Sequence, residues 1–561
     1  MTVPRRMRDR LLLKLAVGAL AAGWMVTVLG AQSVPVEHRA AGADTGAELY
    51  RIAGTLTDSA TGKPVSGATV ETLTSGMLQI LQNTVTDSEG YFSLDCVPAG
   101  KYALRALKRG YVPEAFNEHD GGFSSAIVTG EGQDTEHIPF RIDPEGVIRG
   151  HVTDDAGEPV PNAQVLIQRW TASNGLGEHL EAVLTDEVDD QGEFEVWNLS
   201  PGKYMLAAKA SPWFAVHSSA NTRKPADSAE QREAETALDI AYPVTYYDRT
   251  TSGRSATPLS LASGETAEVN FSLHAVPAVH LTLRVPHNGD PFPAWATLKQ
   301  TILGADLRES PDVVSSSESL IEYAVAPGHY VVEGGTPAHV AEVDAVRDLE
   351  LNLASGTPTI QESVKIRMVD GLPIPEPLQL ALLSGDQMQE IIKAQMVGKS
   401  EETFPSIPPG EWTAVASSEN LQLAVVAVQS GSKLKAGSQI EVTGKESDLT
   451  FYIARGKTRI EGLATRDGKG EAGVMIVLVP KDPAVNLAEF RRDQSDSDGS
   501  FMLPDLIPGD YIIVAIEDGW GLEWMRTQTI RKYLAGGIAI TVSDKGGPLI
   551  KLTTPVPVQV R

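Results

Sequence analysis

The sequence predicts an all-β protein: about five tandem Greek-key β-sandwich modules following an N-terminal signal helix. Three observations carry this. A two-block motif recurs three times at a fixed internal spacing. Short alternating apolar and polar runs are separated by Gly, Pro, Asp and Asn, as strands are by turns. The chain of 561 residues is too long for one sandwich core, so it must divide.

The elements follow in chain order. Arg5, Arg6, Arg8 and Arg10 precede an apolar run from Leu11 to Leu29, and Ala31 and Ser33 take the −3 and −1 positions of a cleavage site. Residues 1–33 therefore read as a secretory signal peptide and 34–49 as a linker. The uninterrupted apolar stretch after Lys14 is at the short end for spanning a bilayer. Cleavage is favoured over anchoring, and a membrane is a partner only if the segment is retained. Cleavage takes the formal net charge from −26 to −30. So acidic a surface repels phosphate backbones and excludes nucleic acid as a partner class. The single cysteine, Cys96, rules out an intramolecular disulfide and a cysteine zinc cluster. Each module must then be held by its buried core, which needs about 80 residues or more.

The first block of the motif reads Gly54-Thr-Leu-Thr-Asp58, Gly62-Lys-Pro64-Val65, Ala68-Thr-Val70. It returns as Gly150 to Asp154, Gly157 to Val160 and Ala163 to Val165, and more faintly from Gly462 to Val474. Asp, Gly and Pro supply a tight turn between two strands. The second block has Asp87, Gly90, Phe92 and Leu94, then Gly100 and Tyr102. It returns as Asp189, Gly192, Phe194 and Val196 with Gly202 and Tyr204, and as Asp496, Gly499, Phe501 and Leu503 with Gly509 and Tyr511. In all three copies Gly follows Phe by eight residues and Tyr by ten. Phe and the residue two further on face one side of a strand, Pro-Gly or Ala-Gly makes the turn, and the Tyr braces it and packs. Pro327-Gly328-His-Tyr330 and Pro409-Gly410-Glu-Trp412 are degenerate copies. The modules read as 50–145, 146–276, 277–358, 359–456 and 457–561, joined as beads by short linkers. The segment 218–239, rich in Ala, Glu and Arg, is an insertion in the second.

These blocks resemble the carboxypeptidase regulatory-like family, well in modules 1, 2 and 5 and poorly in 3 and 4. The resemblance implies a transthyretin-like (prealbumin-like) sandwich of the kind also described as a carbohydrate-binding-like fold. The whole chain resembles secreted multi-repeat proteins of acidobacterial type, which implies a secreted, extracellular or periplasmic envelope location. Fold alone does not fix function.

Chemistry is thin. A zinc peptidase needs a further downstream histidine after His339-Val-Ala-Glu342, and all eleven histidines lie at or before 339. The stretch Gln494 to Asp505 half-fits a calcium loop but overlaps the motif turn, where Asp496 is expected to cap its own backbone. No metal, cofactor or catalytic residue is assigned, and the chain reads as non-enzymatic. The remaining lead is aromatic: Trp170, Trp213, Tyr246 and Tyr247 in module 2, and Trp520 and Trp524 in module 5, could stack on sugar rings. Trp197, beside Val196 and Leu199, reads instead as core. The leading expectation is a secreted binding protein for a polysaccharide or glycoconjugate. The alternatives are a structural or protein-interaction scaffold with an envelope protein as partner, and an accessory subunit of a peptidase system.

Overall fold

The structure is a computed structural model that describes residues 48–561 except 75–78, 173–174, 220–236, 288–294, 310, 385–389, 397–399, 420, 444–447 and 544–546. Residues 1–33, read from the sequence as a signal peptide, and most of the segment 218–239 lie outside the described residues.

The first module shows why the motif folds as it does. Its opening strand, Leu49–Asp58, pairs antiparallel with Tyr91–Pro98 and parallel with Ile138–Ile142. The facing sheet runs Ile80–Val85, Thr69–Leu73, Gly100–Leu107, with the short strands Glu114–Ala115 and Ile127–Thr129 at its far side. Alternate residues of both sheets, among them Ile52, Leu56, Val70, Phe92, Leu104 and Phe140, meet in one core. The same plan is repeated four times. The opening strands Gly146–Asp154, Val279–Arg284, Ile360–Met368 and Thr458–Arg466 each have at least one antiparallel and at least one parallel neighbour. Modules 3 and 4, where the motif is faint, keep this topology because their own alternating residues, such as Leu281 and Leu283 or Val364 and Ile366, still fill a core.

The motif residues have specific tasks. Tyr102, Tyr204 and Tyr511 each donate their hydroxyl to the backbone carbonyl four residues earlier, at Pro98, Ser200 and Ile507. Tyr330 bonds Ala326 in the same way, and the indole N–H of Trp412 replaces the phenol by donating to Pro408. The motif glycines Gly90, Gly192 and Gly499 have φ of 72°, 74° and 83° and lie against carbonyls of the opening strand. A register shift then follows the motif Phe in modules 1, 2 and 5, with Cys96, Asn198 or Asp505 at positive φ beside it. The reading of Trp197 is corrected. Phe194 and Val196 face the core, so the alternation of the strand turns the indole of Trp197 outward, and it is exposed rather than core.

Gly150 lies where the opening strand of module 2 meets the incoming chain, and a Cβ there would overlap the carbonyl oxygen of Val269. Gly150→Ala is expected to cost about 1–3 kcal/mol. Hydrogen exchange should show it as lost protection along Gly146–Asp154, with module 4 unaffected. Equal protection in both proteins would refute the close approach.

The modules are not beads. Module 2 packs on module 3 through Leu166, Met205, Ala207, Val244 and Tyr246 against Ile302 and Leu303. Module 5 meets module 4 where Ile507 packs with Ala424 and Ala454. Module 5 also returns to modules 1 and 2, closing the chain on itself.

The cause of this closure is visible in one strand. Met475–Pro480 is buried at all six positions. Ile476 and Leu478 enter the sandwich core of module 5. Met475, Val477 and Val479 face a second core on the other side of the sheet. A run apolar at every position is a strand covered on both faces. The outer cover is the helix Thr527–Leu534, which buries Ile530 and Tyr533, together with Trp520, Trp524 and Phe490. Leu176 of module 2 and Phe123 of module 1 complete it.

Candidate functional site

The junction of modules 1 and 5 is the most elaborate arrangement of polar side chains among the described residues. At its centre Arg492 closes strand Arg491–Gln494 against its own module's apolar cover. Its guanidinium lies 4.2 Å from the ring centre of Phe123, 4.9 Å from Trp524 and 5.3 Å from Trp520. Its Nη1 donates to Asp120 Oδ2 at 2.6 Å. The pair is buried, with 5% and 17% of the side chains exposed. A guanidinium among three aromatic faces gains cation–π attraction, and its charge is balanced by a carboxylate from the other module. The imidazole of His119 stacks on Trp520, with ring centres 4.7 Å apart and planes within 9°.

Around this centre the modules exchange hydrogen bonds. Gln494 Nε2 donates to Asn117 O at 2.7 Å and to Ser125 Oγ at 2.9 Å, and Ser125 Oγ donates to Ser495 O. Ser497 N–H donates to Ala126 O, and Val128 N–H to Ser497 Oγ.

Asp496 shows how the junction alters the motif. In modules 1 and 2 the equivalent Asp87 and Asp189 accept from their own turn, at Glu89 and Tyr91 and at Gln191 and Glu193. In module 5 Asp496 instead accepts from Ala126 N–H and from Lys101 Nζ, both of module 1, and Asp498 accepts from Ser500 N–H in its place. The expectation that Asp496 caps its own turn is therefore corrected. The same geometry speaks against the calcium loop: Gln494 ends one strand and Asp505 lies within the next, so only residues 495–499 form the turn between them.

The sequence-derived aromatic residues are not brought together. Trp524 is 1% exposed and Trp520 is buried, both in the cover between modules. Tyr246 is buried in the contact with module 3, and Tyr247 packs against the module 2 core. Trp520, Trp524 and Tyr246 are buried by contacts between modules, which consume surfaces that an isolated module would expose, while Tyr247 is partly buried against its own module. Trp213 is 83% exposed and stands edge-on to Phe214, and Trp170 is 36% exposed on the sheet. His339 opens a strand, so Glu342 three residues on points to the opposite face and the two cannot share a metal.

Sequence reasoning missed the edge of module 1. Among the described residues, strand Ile80–Val85 ends its sheet, pairing with Thr69–Leu73 on one side. Ile80, Leu81 and Val85 are exposed along it, and the strand carries no charge. Its uncharged sequence was the available signal.

Five modules of related strand order, with side-chain contacts joining module 2 to module 3, module 4 to module 5, and module 5 back to modules 1 and 2, define a multi-module β protein. Its first module is the part recognised by a known family: residues 51–137 match the carboxypeptidase regulatory-like domain. No curated protein matches the chain. Among solved structures, the Bacillus anthracis TIE protein is 10% identical, with 74% of this chain and 76% of that one covered and a TM-score of 0.17. A streptococcal ancillary pilin is 10% identical, covering 54% of this chain and 99% of its own, at a TM-score of 0.18. The minor pilin of Streptococcus agalactiae is 14% identical, covering 41% and 97%, also at 0.18. These matches do not speak to an acidobacterial origin.

Proposed function

We propose that this chain is a secreted, non-catalytic scaffold for protein–protein contacts, with the open edge of module 1 as its docking strand. The observation that carries this is the uncharged strand Ile80–Val85, which exposes Ile80, Leu81 and Val85 at the end of a sheet. Proteins normally blunt such edges with charge, proline or a cover, because the unpaired backbone groups accept another strand. An extended segment of a partner protein would add to the sheet, held by backbone hydrogen bonds and by the alternate apolar side chains. Closure of the five modules supports the same reading, since it holds that edge on a fixed frame.

The test is a pull-down from envelope extract with residues 34–561, beside a Leu81→Lys/Val85→Lys variant, followed by hydrogen exchange of the captured complex. The expected result is a protein retained by the wild type and lost by the variant, with new protection over 80–85. A glycan array is run in parallel. Glycan binding that disappears in Trp213→Ala would overturn the scaffold reading in favour of a carbohydrate-binding protein.

A further inference from the structure

A second buried polar array joins modules 2 and 3. Its members alternate: Asp312, His217, Asp239, His280, Glu322. His217 places Nδ1 2.8 Å from Asp239 Oδ1 and Nε2 3.5 Å from Asp312 Oδ2. His280 places Nε2 2.9 Å from Asp239 Oδ2 and Nδ1 2.9 Å from Glu322 Oε1. Ser219 and Ser315 donate to the second oxygen of Glu322, and Asp348 accepts from the His280 backbone N–H. The side chains of His217, His280, Asp239 and Glu322 are each less than 15% exposed, while Asp312 opens to solvent.

The chemistry follows from the donor count. A neutral imidazole has one N–H and one lone pair. His280 faces a carboxylate at each nitrogen, so both nitrogens must donate, and the ring is an imidazolium. Losing a proton would set its lone pair against a carboxylate oxygen in a poorly hydrated site.

The elements involved give the array its role. His217 immediately precedes the insertion in module 2, and Ser219 and Asp239 stand at its two ends. His280, Asp312, Ser315 and Glu322 belong to strands of module 3. Beside the array, Ile240–Ala241 of module 2 pairs with Val276–Pro277 at the boundary between modules 2 and 3. We propose that this alternating chain is a proton-linked clamp that fixes module 2 to module 3 in mildly acidic to neutral surroundings and releases as His280 deprotonates.

The direction agrees with the surroundings of each group. Burial alone would lower the His280 pKa, but the hydrogen bonds that its ring donates to Asp239 and Glu322 and the charges of Asp239 and Asp348 outweigh it and raise it. Its contribution is full below about pH 6.5 and is lost as pH rises through the raised value. Burial would raise the Glu322 pKa, but Ser219, His280 and Ser315 hold it below the usual carboxylate range. That contribution is present above about pH 4.3 and is lost as pH falls through the lowered value.

The experiment uses the full chain. Hydrogen exchange over Val279–Arg284 and Ile240–Ala241, normalised to intrinsic rates, is followed from about pH 6 to about pH 9. A decrease in protection of roughly tenfold is expected in the wild type, and less than about twofold in His280→Gln, whose neutral side chain does not titrate. An NMR titration of the His280 ring is expected to show a pKa above that of an ordinary imidazole. Protection that does not change with pH in the wild type, or a His280 ring that titrates below the ordinary value, would overturn the clamp.

Discussion

Replacing Arg492 with alanine is expected to open the closed circuit. The substitution removes the guanidinium from the faces of Phe123, Trp520 and Trp524 and leaves the carboxylate of Asp120 enclosed without its counter-charge. Breaking a buried pair in this way typically costs about 3–5 kcal/mol. Even the lower figure changes the ratio of docked to undocked module 5 by more than a hundredfold, since about 1.4 kcal/mol is tenfold. The radius of gyration from small-angle scattering should increase, and tryptophan emission should shift to the red as Trp520 and Trp524 meet water. Replacing both partners, Arg492→Met with Asp120→Ala, removes the uncompensated charge. The double variant should therefore scatter more like the wild type than Arg492→Ala does. Unchanged scattering and emission in Arg492→Ala would show that the backbone and glutamine contacts hold the junction without the pair.

The second large effect is on pH. Burial, then the nearby charge of Asp496, pushes the Asp493 carboxyl up to about 7. Burial, then Asp143, pushes Glu114 up to about 7. Burial also pushes Glu489 up to about 7. A carboxyl whose pKa is raised in the folded state keeps a proton that the unfolded chain has lost. Its stabilising contribution is complete below about pH 4 and disappears as pH rises through 7. Each shift would be worth roughly 3–4 kcal/mol at its fullest, with relaxation of the site reducing that. Glu114 belongs to module 1, and Asp493 and Glu489 to module 5, so the two partners of the junction weaken together. The unfolding midpoint should be about 5–10 °C lower at pH 8 than at pH 5. Asp493→Asn keeps an acceptor for the Met502 N–H and removes the titration. The variant should gain at pH 8 and flatten the profile. A midpoint that is equal at both pH values would contradict this.

Much of each module was legible in the sequence. The spacing of Phe, Gly and Tyr set a strand, a turn and a brace that depend on residues within ten positions of one another, so local physics suffices. The Tyr-to-carbonyl bond spans four residues, and Trp412 preserves it where the motif has faded. The candidate aromatic site was not legible. Whether Trp524 stacks on a ligand or fills a core depends on what covers it, and its cover includes Leu176 and Phe123, hundreds of residues away. One signal was present and went unread: the apolar run Met475–Pro480, too continuous for a strand with one wet face.

The sequence by itself determined the sandwich class, the turn chemistry and the absence of disulfide support, because periodicity, glycine conformation and cysteine count act locally or by number. Only the tertiary structure decided which faces remained free. It redirected Asp496 from its own turn to module 1, buried Tyr246, Trp520 and Trp524 between modules, and left the edge Ile80–Val85 open. The physical reason is that burial between modules depends on surfaces brought together across the whole chain, and no window of sequence contains both sides of such a contact.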